Sequence, residues 1–422
     1  MDENYVDILV IGAGPAGVIS AAIAQKNGKS VKVIEKAVFP RFVIGESLIP
    51  RVMDHLEEAG FIDVLNEMNF QKKFGARFVK DDLVCDFDFS DQVTPGWAWT
   101  WQCPRADFDH ALVKDIIKRG IDVQFKCEVI SVDMQGERKK VVIRDEHGNE
   151  EQIEAGFIID ASGYARVLPR FMGTVKESKL SPKKAMFVHC KDEKRPKGRE
   201  GWMITFVVHR VDVWLWVIPF SNGNCSLGVV GNPDFFKEFE GSPEEVMRQI
   251  FEQDPNYRER FRETEFLWEP KSLEAYSAST AEMYGDGYAI VGNSVEFLDP
   301  VFSSGVMFAA ETGNLATKLA IGQLNGEKVD WEKEYVSYVN KGVETFRTYV
   351  ESWYNGALQD VFFAPNPNPK IKKQLSSILA GYVWDMKNPW VRNHSKLVYN
   401  VADMLRKNKH VLSHESIDAK LE

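Results

Sequence analysis

Short apolar runs alternate with glycine-rich turns along the first part of the chain. Ile8–Ile11 consists entirely of apolar residues, a pattern typical of a strand that is buried on both faces. An alanine-rich stretch with helical character follows, and Ser30–Ile34 supplies a second strand. Strand, helix and strand in this order predict a βαβ unit with a parallel sheet.

The turn after the first strand carries the spacing of a dinucleotide fingerprint. Gly12 allows a tight turn, Gly14 lets the backbone approach a pyrophosphate, and Gly17 permits close packing of helix against strand. The N-terminus of the helix favours negative charge. Glu35 ends the second strand, where a carboxylate accepts hydrogen bonds from a ribose diol. The sequence therefore predicts a dinucleotide cofactor, with FAD as the first hypothesis.

The middle of the chain is rich in predicted strands. Met203–His209 and Val213–Phe220 have strand composition, and Ser221–Asn224 predicts a hairpin turn before Ser226–Val230. From Trp331 onward, aromatic residues recur at helical intervals. These patterns predict a β-rich region followed by a helical one.

The predicted fold class is α/β, or α+β overall. It comprises a Rossmann-like FAD-binding domain, an inserted β-sheet substrate domain and a helical C-terminal region. The FAD-binding domain is expected to be discontinuous, because strand-and-turn patterns typical of it return later in the chain. The predicted segments are 1–80, 105–163 and 288–324 for the FAD-binding domain, 81–104 and 165–283 for the substrate domain, and 331–422 for the helical region.

Composition and charge exclude several classes of partner. The 422 residues include 52 lysines and arginines and 62 aspartates and glutamates, for a formal net charge of −10. We expect no nucleic-acid partner, because no basic stripe is interleaved with aromatic residues. The five cysteines are scattered without metal-ligand spacing, so we expect no metal and a reducing, cytoplasmic setting. No apolar run is long enough to predict a transmembrane segment.

Two later segments repeat the pattern of a strand followed by small residues. These are Gly156–Gly163 and Gly287–Ser294. Together with Arg105, they resemble the FAD-binding landmarks of the aromatic-hydroxylase superfamily, to which flavin-dependent halogenases belong. In that superfamily an aspartate usually holds the flavin ribityl chain. Asn293 occupies its position here, and its amide can still hydrogen-bond a hydroxyl.

Three further motifs resemble those of flavin-dependent halogenases. Trp214–Pro219 looks like their Trp-x-Trp-x-Ile-Pro signature, and Phe297–Gly305 looks like their Phe-x-x-Pro-x-x-Ser-x-Gly segment. Phe70–Phe78 resembles the stretch that supplies their active-site lysine, and its spacing favours Lys73 over Lys72. The chain is thus similar to the phenol- and pyrrole-type FAD-dependent halogenases, a group also related to geranylgeranyl reductases.

This resemblance implies a reaction and a set of roles. Reduced FAD and O₂ are expected to convert a halide into hypohalous acid, which passes to Lys73 and then to an electron-rich ring. The first N–H groups of a helix at Ser304 and Gly305 are expected to hold the halide. Trp214 and Trp216 would wall the substrate pocket.

Phe302 also lines this predicted pocket and narrows the substrate class. Tryptophan halogenases carry a glutamate at its position. The resemblance therefore favours a phenolic or carrier-tethered substrate over free tryptophan.

The residues expected to bind FAD lie in or beside the landmarks. They are Gly12, Gly14, Pro15, Ala16, Gly17, Glu35, Lys36, Arg41, Glu46, Ser47, Arg105, Val129, Asp160, Asn293, Pro300, Gly305 and Val306.

Several of these residues also have a purely structural interpretation. Adjacent lysines are usually solvated surface residues, and this interpretation also fits Lys72 and Lys73. The two tryptophans fit core packing or a cross-strand ladder. Glu46 fits the cap of a helix that begins near Ser47, and Arg105 fits a surface ion pair.

The sequence also fits three other functions. In a hydroxylase the oxygenated flavin attacks a phenol directly, and in a geranylgeranyl-reductase-like enzyme a double bond is reduced without O₂. A carrier that binds FAD without catalysis is the third. The chain has a single complete dinucleotide fingerprint. The electrons that reduce FAD are therefore expected from a separate flavin reductase or from transiently bound NAD(P)H.

Overall fold

A computed structural model describes residues 4–418, with side chains through residue 408. The strands are β1 Tyr5–Ile11, β2 Val31–Ile34, β3 Gln71–Lys73, β4 Gly75–Lys80, β5 Leu83–Asp88, β6 Thr100–Gln102, β7 Asp122–Gln124, β8 Glu128–Asp133, β9 Lys139–Arg144, β10 Glu150–Asp160, β11 Val175–Glu177, β12 Lys184–Lys191, β13 Ile204–Arg210, β14 Val213–Pro219, β15 Asn224–Gly231, β16 Lys271–Glu274, β17 Ala278–Thr280, β18 Tyr284–Gly285, β19 Tyr288–Ile290 and β20 Glu296–Phe297. The helices are α1 Pro15–Lys26, α2 Val52–Glu58, α3 Ile62–Glu67, α4 Arg105–Lys118, α5 Val167–Phe171, α6 Arg199–Trp202, α7 Pro233–Phe236, α8 Pro243–Glu252, α9 Arg258–Phe261, α10 Ser304–Leu324, α11 Ser337–Tyr354, α12 Ala357–Phe362, α13 Pro369–Leu379, α14 Pro389–Arg392 and α15 His394–Asp418.

The described chain forms two compact units, and the first contains the parallel sheet. It comprises the chain up to Gln71, Thr100–Ser181 and Tyr276–Lys341. The strand order is β18-β19-β10-β1-β2-β7, with β9 paired to β10 and β8 paired to β9. β1 pairs in parallel with both β10 and β2. A parallel sheet with the helix α1 as a crossover confirms the predicted Rossmann-like α/β class.

The second unit is built on a seven-stranded sheet. Its strand order is β16-β12-β15-β14-β13-β4-β5, in which β13 and β4 run parallel and the other neighbours antiparallel. Between β14 and β15 the backbone N–H of Phe220 donates to the carbonyl of Asn224 over 2.9 Å. The predicted hairpin at this turn is confirmed.

The residues of β14 alternate between the two faces of this second sheet. Leu215 and Val217 lie in a buried apolar cluster that also includes Met247 and Ile250 of α8. The neighbouring positions, which include the two tryptophans of the halogenase-like motif, point to the other face.

That other face is covered by aromatic side chains of the same unit. Phe78 stacks on Phe206 with ring centroids 4.8 Å apart. Phe78 also contacts Trp353 of α11 at 5.4 Å and Phe362 of α12 at 4.8 Å. Trp353 and Phe362 of the C-terminal region are therefore core residues of the second unit.

The units have other boundaries than the predicted domains. Residues 72–80 belong to the second unit, while residues 100–104, 165–181 and 276–283 belong to the first. The predicted helical region is divided, with residues 331–341 in the first unit and the residues from 342 onward in the second. The C-terminal helices join the sheet because their aromatic side chains pack on it, a long-range relation that local patterns do not contain. A separate substrate domain as a functional body remains a prediction.

The described residues place further limits on the chemistry. None of their helices is both long and apolar enough to cross a membrane. The five cysteines are free and buried. Among the described residues, no group of histidines, cysteines and acids is arranged to hold a metal ion.

Candidate functional site

The fingerprint turn has the backbone that its glycines predict. Gly12 has a φ of 99°, and a Cβ there would lie 2.6 Å from the carbonyl oxygen of Ala161. A Cβ on Gly17 would overlap the carbonyl oxygen of Gly12. Gly14 caps the N-terminus of α1, and the guanidinium of Arg41 lies 3.7 Å from where its Cβ would be. The turn can thus present N–H groups and a cation to a diphosphate.

Glu35 is held at the end of β2 by the backbone. Its carboxylate oxygens accept hydrogen bonds from the N–H groups of Ala13 and Ala37, each over 2.8 Å. The neighbouring Lys36 is exposed and pairs with Glu128 over 2.6 Å. A ribose contact of Glu35 remains a prediction, for which the buried, fixed carboxylate is suitably placed beside the turn.

Arg105 forms a buried ion pair, not the surface pair considered from the sequence. Its Nε and Nη2 donate to the two carboxylate oxygens of Asp109 over 2.8 and 3.0 Å. Its Nη1 donates to the carbonyl oxygens of Ile44 and Gly45, both over 3.3 Å. Arg41 contacts the same aspartate over 3.3 Å. Arg105 therefore orders the loop that carries the other predicted flavin contacts.

The loop residues Glu46 and Ser47 are extended. The carbonyl of Glu46 accepts a hydrogen bond from the N–H of Cys103 over 2.8 Å, and Ser47 pairs with Gln102 in an antiparallel bridge. The interpretation of Glu46 as a helix cap is wrong, because this pairing keeps the backbone extended and α2 begins only at Val52. Both side chains are buried.

Asp160 organises the loop that follows β10. Its carboxylate accepts hydrogen bonds from the N–H groups of Ser162 over 2.9 Å and Leu168 over 2.7 Å. Complete burial raises the pKa of Asp160 although these hydrogen bonds favour the charged form. The carboxylate therefore holds the loop in place through these two hydrogen bonds. A direct contact between Asp160 and the cofactor remains a prediction.

Asn293 presents a buried acceptor beside the start of α10. No hydrogen-bond donor reaches its Oδ1 from the part of the chain that the structure describes. A Cβ on Gly305 would lie 4.0 Å from this oxygen. An amide with a spare acceptor fits a hydroxyl of the flavin ribityl chain, as expected where a relative has aspartate.

The N-terminus of α10 is assembled by the halogenase-like segment. A short 3₁₀ turn, Pro300–Phe302, precedes Ser303, which has a left-handed φ of 56°. The helix then begins at Ser304, within one residue of the predicted start at Gly305. The N–H groups of this first turn have no acceptor within the helix, so they can meet a small anion.

The structure separates the two adjacent lysines. Lys72 is exposed, with Nζ 4.6 Å from the ring centroid of Trp99. Lys73 is 2% exposed, with Nζ 5.6 Å from the ring centroid of Phe89. Burial lowers the pKa of Lys73 to about 7. The interpretation of the pair as two solvated residues is therefore wrong for Lys73.

Trp214 and Trp216 lie side by side on one face of β14, with ring centroids 5.7 Å apart. The Nε1 of Trp216 donates to the hydroxyl of Ser226 over 3.0 Å. A Cβ on Gly228 would overlap the Trp216 indole, so this glycine is needed for the ring to lie where it does. The Nε1 of Trp214 donates to Tyr354 over 2.9 Å.

The predicted residues are divided between the two units. Those expected to bind FAD and the halide lie in the first unit, as does Phe302, which is 4% exposed. Lys73, Trp214 and Trp216 lie in the second unit. The remaining predicted FAD contacts are the buried Pro15, Ala16 and Val306, in the first turns of α1 and α10, and Val129, in β8.

Sequence patterns also missed residues that this geometry makes important. Asp109 had a detectable signal, because it lies four residues after Arg105 on one helix face. Tyr354 belongs to the helical aromatic pattern predicted after Trp331, but its hydrogen bond with Trp214 had no signal, since the two residues are far apart in the chain.

The FAD binding domain family matches residues 5–332. The chain belongs to this family. The match confirms FAD as the predicted cofactor. The turn at Gly12–Gly17, the guanidinium of Arg41 and the spare acceptor of Asn293 are suited to hold it.

Relatives of this FAD-binding protein include enzymes that halogenate. A flavoprotein/dehydrogenase from Cytophaga hutchinsonii is 49% identical, with a TM-score of 0.94, and the match covers 96% of this chain and 100% of that chain. A brominase of 1H-pyrrole-2-carbonyl-peptidyl-carrier protein from Pseudoalteromonas luteoviolacea (strain 2ta16) is 28% identical over 388 residues, 90% of this chain and 92% of that protein. A flavin-dependent brominase variant is 25% identical, with a TM-score of 0.80, over 97% of this chain and 100% of that chain. The predicted resemblance to flavin-dependent halogenases is confirmed.

Proposed function

We propose that this protein is an FAD-dependent halogenase that acts on an electron-rich aromatic ring, either phenolic or tethered to a carrier. The observation that carries the proposal is the environment of Lys73. An amine that is 2% exposed, with a pKa lowered to about 7, is present both as amine and as ammonium near neutral pH. Similarity to brominases supports the same reaction.

The residues of the first unit hold the reactants. When bound and reduced, FAD supplies the electrons with which O₂ and a halide ion yield hypohalous acid and water. The turn at Gly14 and the cation of Arg41 hold the diphosphate, and Asn293 accepts from the ribityl chain. The N–H groups of Ser304 and Gly305 hold the halide, because a helix N-terminus stabilises a small anion without a basic side chain.

Lys73 transfers the halogen. Its neutral amine exchanges one N–H proton for the halogen of hypohalous acid, and water is released. The aromatic ring then takes the halogen, and the proton lost from the ring returns to the nitrogen. Burial matters because it keeps a fraction of the amine neutral, and only the neutral form has a lone pair for the first exchange.

The substrate class follows from the apolar residues. Trp214 and Trp216 provide two neighbouring aromatic rings, tilted by 43°, whose indole N–H groups are already bonded to hydroxyls of the protein. Phe302 adds a buried apolar side chain where tryptophan halogenases have an acid. These features favour a phenol or a tethered pyrrole, and the carrier-dependent brominase supports the tethered form.

The cellular setting is part of the proposal. We place the enzyme in the cytoplasm, since its five cysteines are free. We assign the reduction of FAD to a separate flavin reductase or to transiently bound NAD(P)H. No nucleic acid takes part.

The test is product analysis with chemically reduced FAD, O₂ and bromide. The substrates are simple phenols, free pyrrole-2-carboxylate and the same pyrrole as a thioester on a carrier protein. We expect a product with the isotope doublet of bromine that requires bromide. A product that gains only one oxygen atom would show a hydroxylase. Substrate reduction without O₂ would show a reductase, as the similarity to a flavoprotein/dehydrogenase allows.

A further inference from the structure

Residues 92–99 form a loop without helix or strand, anchored on the C-terminal part of the second unit. The N–H groups of Val93 and Thr94 donate to the hydroxyl of Ser377, over 2.9 and 3.1 Å. The hydroxyl of Thr94 donates to the carboxylate of Asp385 over 2.7 Å. Because this 92–99 loop is not held by a backbone ladder, such contacts with side chains determine its conformation.

Tyr382 anchors the other end of the 92–99 loop. Its phenol oxygen accepts a hydrogen bond from the N–H of Trp97 over 2.9 Å. A Cβ on Gly96 would overlap the phenol oxygen and the ring, so the backbone passes the ring at a distance that only glycine allows. Tyr382 itself is 6% exposed. One buried side chain therefore fixes both the position and the direction of the backbone at this point.

The indoles of Trp97 and Trp99 lie where the 92–99 loop ends, and both are half-buried. Their ring centroids are 5.7 Å apart, with the planes at 79°. The Nζ of Lys72 lies 4.6 Å from the ring centroid of Trp99, which places the pair of indoles beside the chain segment of Lys73. Two large aromatic rings that are partly open next to a reactive amine are suited to contact a flat aromatic ligand.

We propose that Tyr382 is a positioning residue for the aromatic substrate. Through the N–H of Trp97 it fixes the indoles of Trp97 and Trp99, and these contact the ring that is presented to Lys73. The C-terminal region thereby takes part in the choice of substrate without contacting it. The inference rests on the proposed function, because it assumes an aromatic substrate beside Lys73.

The physical basis of this role is preorganisation of the loop. Without the hydrogen bond to Tyr382, the 92–99 loop has more conformations in the free protein, and part of the binding energy is used to order it. Loss of one neutral hydrogen bond corresponds to a change in affinity of about threefold to tenfold.

The experiment measures the binding of two probes, phenol and pyrrole-2-carboxylate, to the oxidised holoprotein by calorimetry. Tyr382→Phe removes the acceptor and keeps the ring, and Gly96→Ala places a methyl group against the ring. Trp99→Leu removes one of the indoles. Tyr349→Phe is the matched control, because it removes another buried hydroxyl of the same unit, which donates to the carbonyl of Trp390 over 2.7 Å.

We expect Tyr382→Phe and Gly96→Ala to weaken the binding of at least one probe by about threefold to tenfold, with FAD affinity unchanged. In a Trp99→Leu background, Tyr382→Phe should have little further effect, since the indole that it positions is gone. Unchanged probe affinity in both variants, an equal loss in Tyr349→Phe, or additive losses in the Trp99→Leu background would overturn the proposal. So would a wild type that binds neither probe.

Bromination assays separate this inference from the proposed function. In Tyr382→Phe, KM for the brominated substrate should rise by the same factor as the dissociation constant, while kcat changes by less than about twofold. If the wild type binds the probes but brominates no substrate, the proposed function fails, and the affinities still decide the positioning role of Tyr382.

Discussion

The Nε1 of Trp214 donates a hydrogen bond to the phenol oxygen of Tyr354 over 2.9 Å, which joins the sheet of the second unit to the end of α11. The Nζ of Lys183 lies 4.0 Å from the centroid of the same tyrosine ring. Trp214 is 2% exposed, so its indole N–H depends on this acceptor. The C-terminal region thus fixes a tryptophan that the sequence pattern assigned to the substrate pocket.

Tyr354→Phe tests this relationship, because it removes the acceptor and keeps the ring. We expect the free energy of unfolding to fall by about 1 to 3 kcal/mol, the cost of a buried donor left unbonded. Denaturant titration measures it. Tyr399→Phe, at a hydroxyl that accepts from the exposed Asn355, is the control and should cost less. Equal losses of unfolding free energy in the two variants would show that the buried Trp214 hydrogen bond contributes no more to stability than the exposed one.

A second prediction concerns the space that Gly228 leaves for Trp216. Gly228→Ala places a methyl group into the indole, and we expect a loss of about 1 to 3 kcal/mol in unfolding free energy. In a Trp216→Leu background the same substitution should cost little, because the clash is gone. A double-mutant cycle by denaturant titration measures this coupling. An additive cycle would mean that the two residues do not constrain each other.

The buried pair of Arg105 and Asp109 gives a third prediction. Asp109→Asn leaves the guanidinium without its counter-ion, and we expect a loss of about 3 to 5 kcal/mol in unfolding free energy. FAD binding should weaken as well, since Arg105 also holds the carbonyls of Ile44 and Gly45. Denaturant titration and flavin fluorescence measure the two effects. Asp107→Asn, at an exposed position of the same helix, should leave both nearly unchanged.

The pH dependence of stability tests the burial of Lys73. Its pKa is lowered from 10.5 to about 7 on folding, so between these values the unfolded chain binds more protons and stability rises with pH. Lys73→Met removes this dependence. We expect the variant to exceed the wild type in unfolding free energy at pH 6, by up to about 5 kcal/mol, with the difference shrinking toward pH 10. Lys72→Met, on the exposed neighbour, should show no such trend.

The sequence predicted those parts of the fold that depend on local patterns. The strands around the fingerprint, the start of α10 and the β14–β15 hairpin lie where apolar periodicity, glycines and turn residues indicated. The unit boundaries and the Trp214–Tyr354 hydrogen bond were not predictable, because they depend on which distant side chains pack together. The cap assigned to Glu46 failed for the same reason, since its strand-like pairing with a distant segment overrides the local helix signal.

The candidate site was predicted less completely than the fold. Motifs identified Lys73 and the two tryptophans, but only the structure separates Lys73 from Lys72 by burial.

The most direct test of the central claim compares Lys73→Met with Lys72→Met in halogenation. Both variants receive chemically reduced FAD, O₂ and bromide, and the brominated product and free hypohalous acid are measured together. We predict that Lys73→Met binds FAD and releases hypohalous acid but loses brominated product by about a hundredfold or more, whereas Lys72→Met resembles the wild type. Full bromination by Lys73→Met would contradict the account.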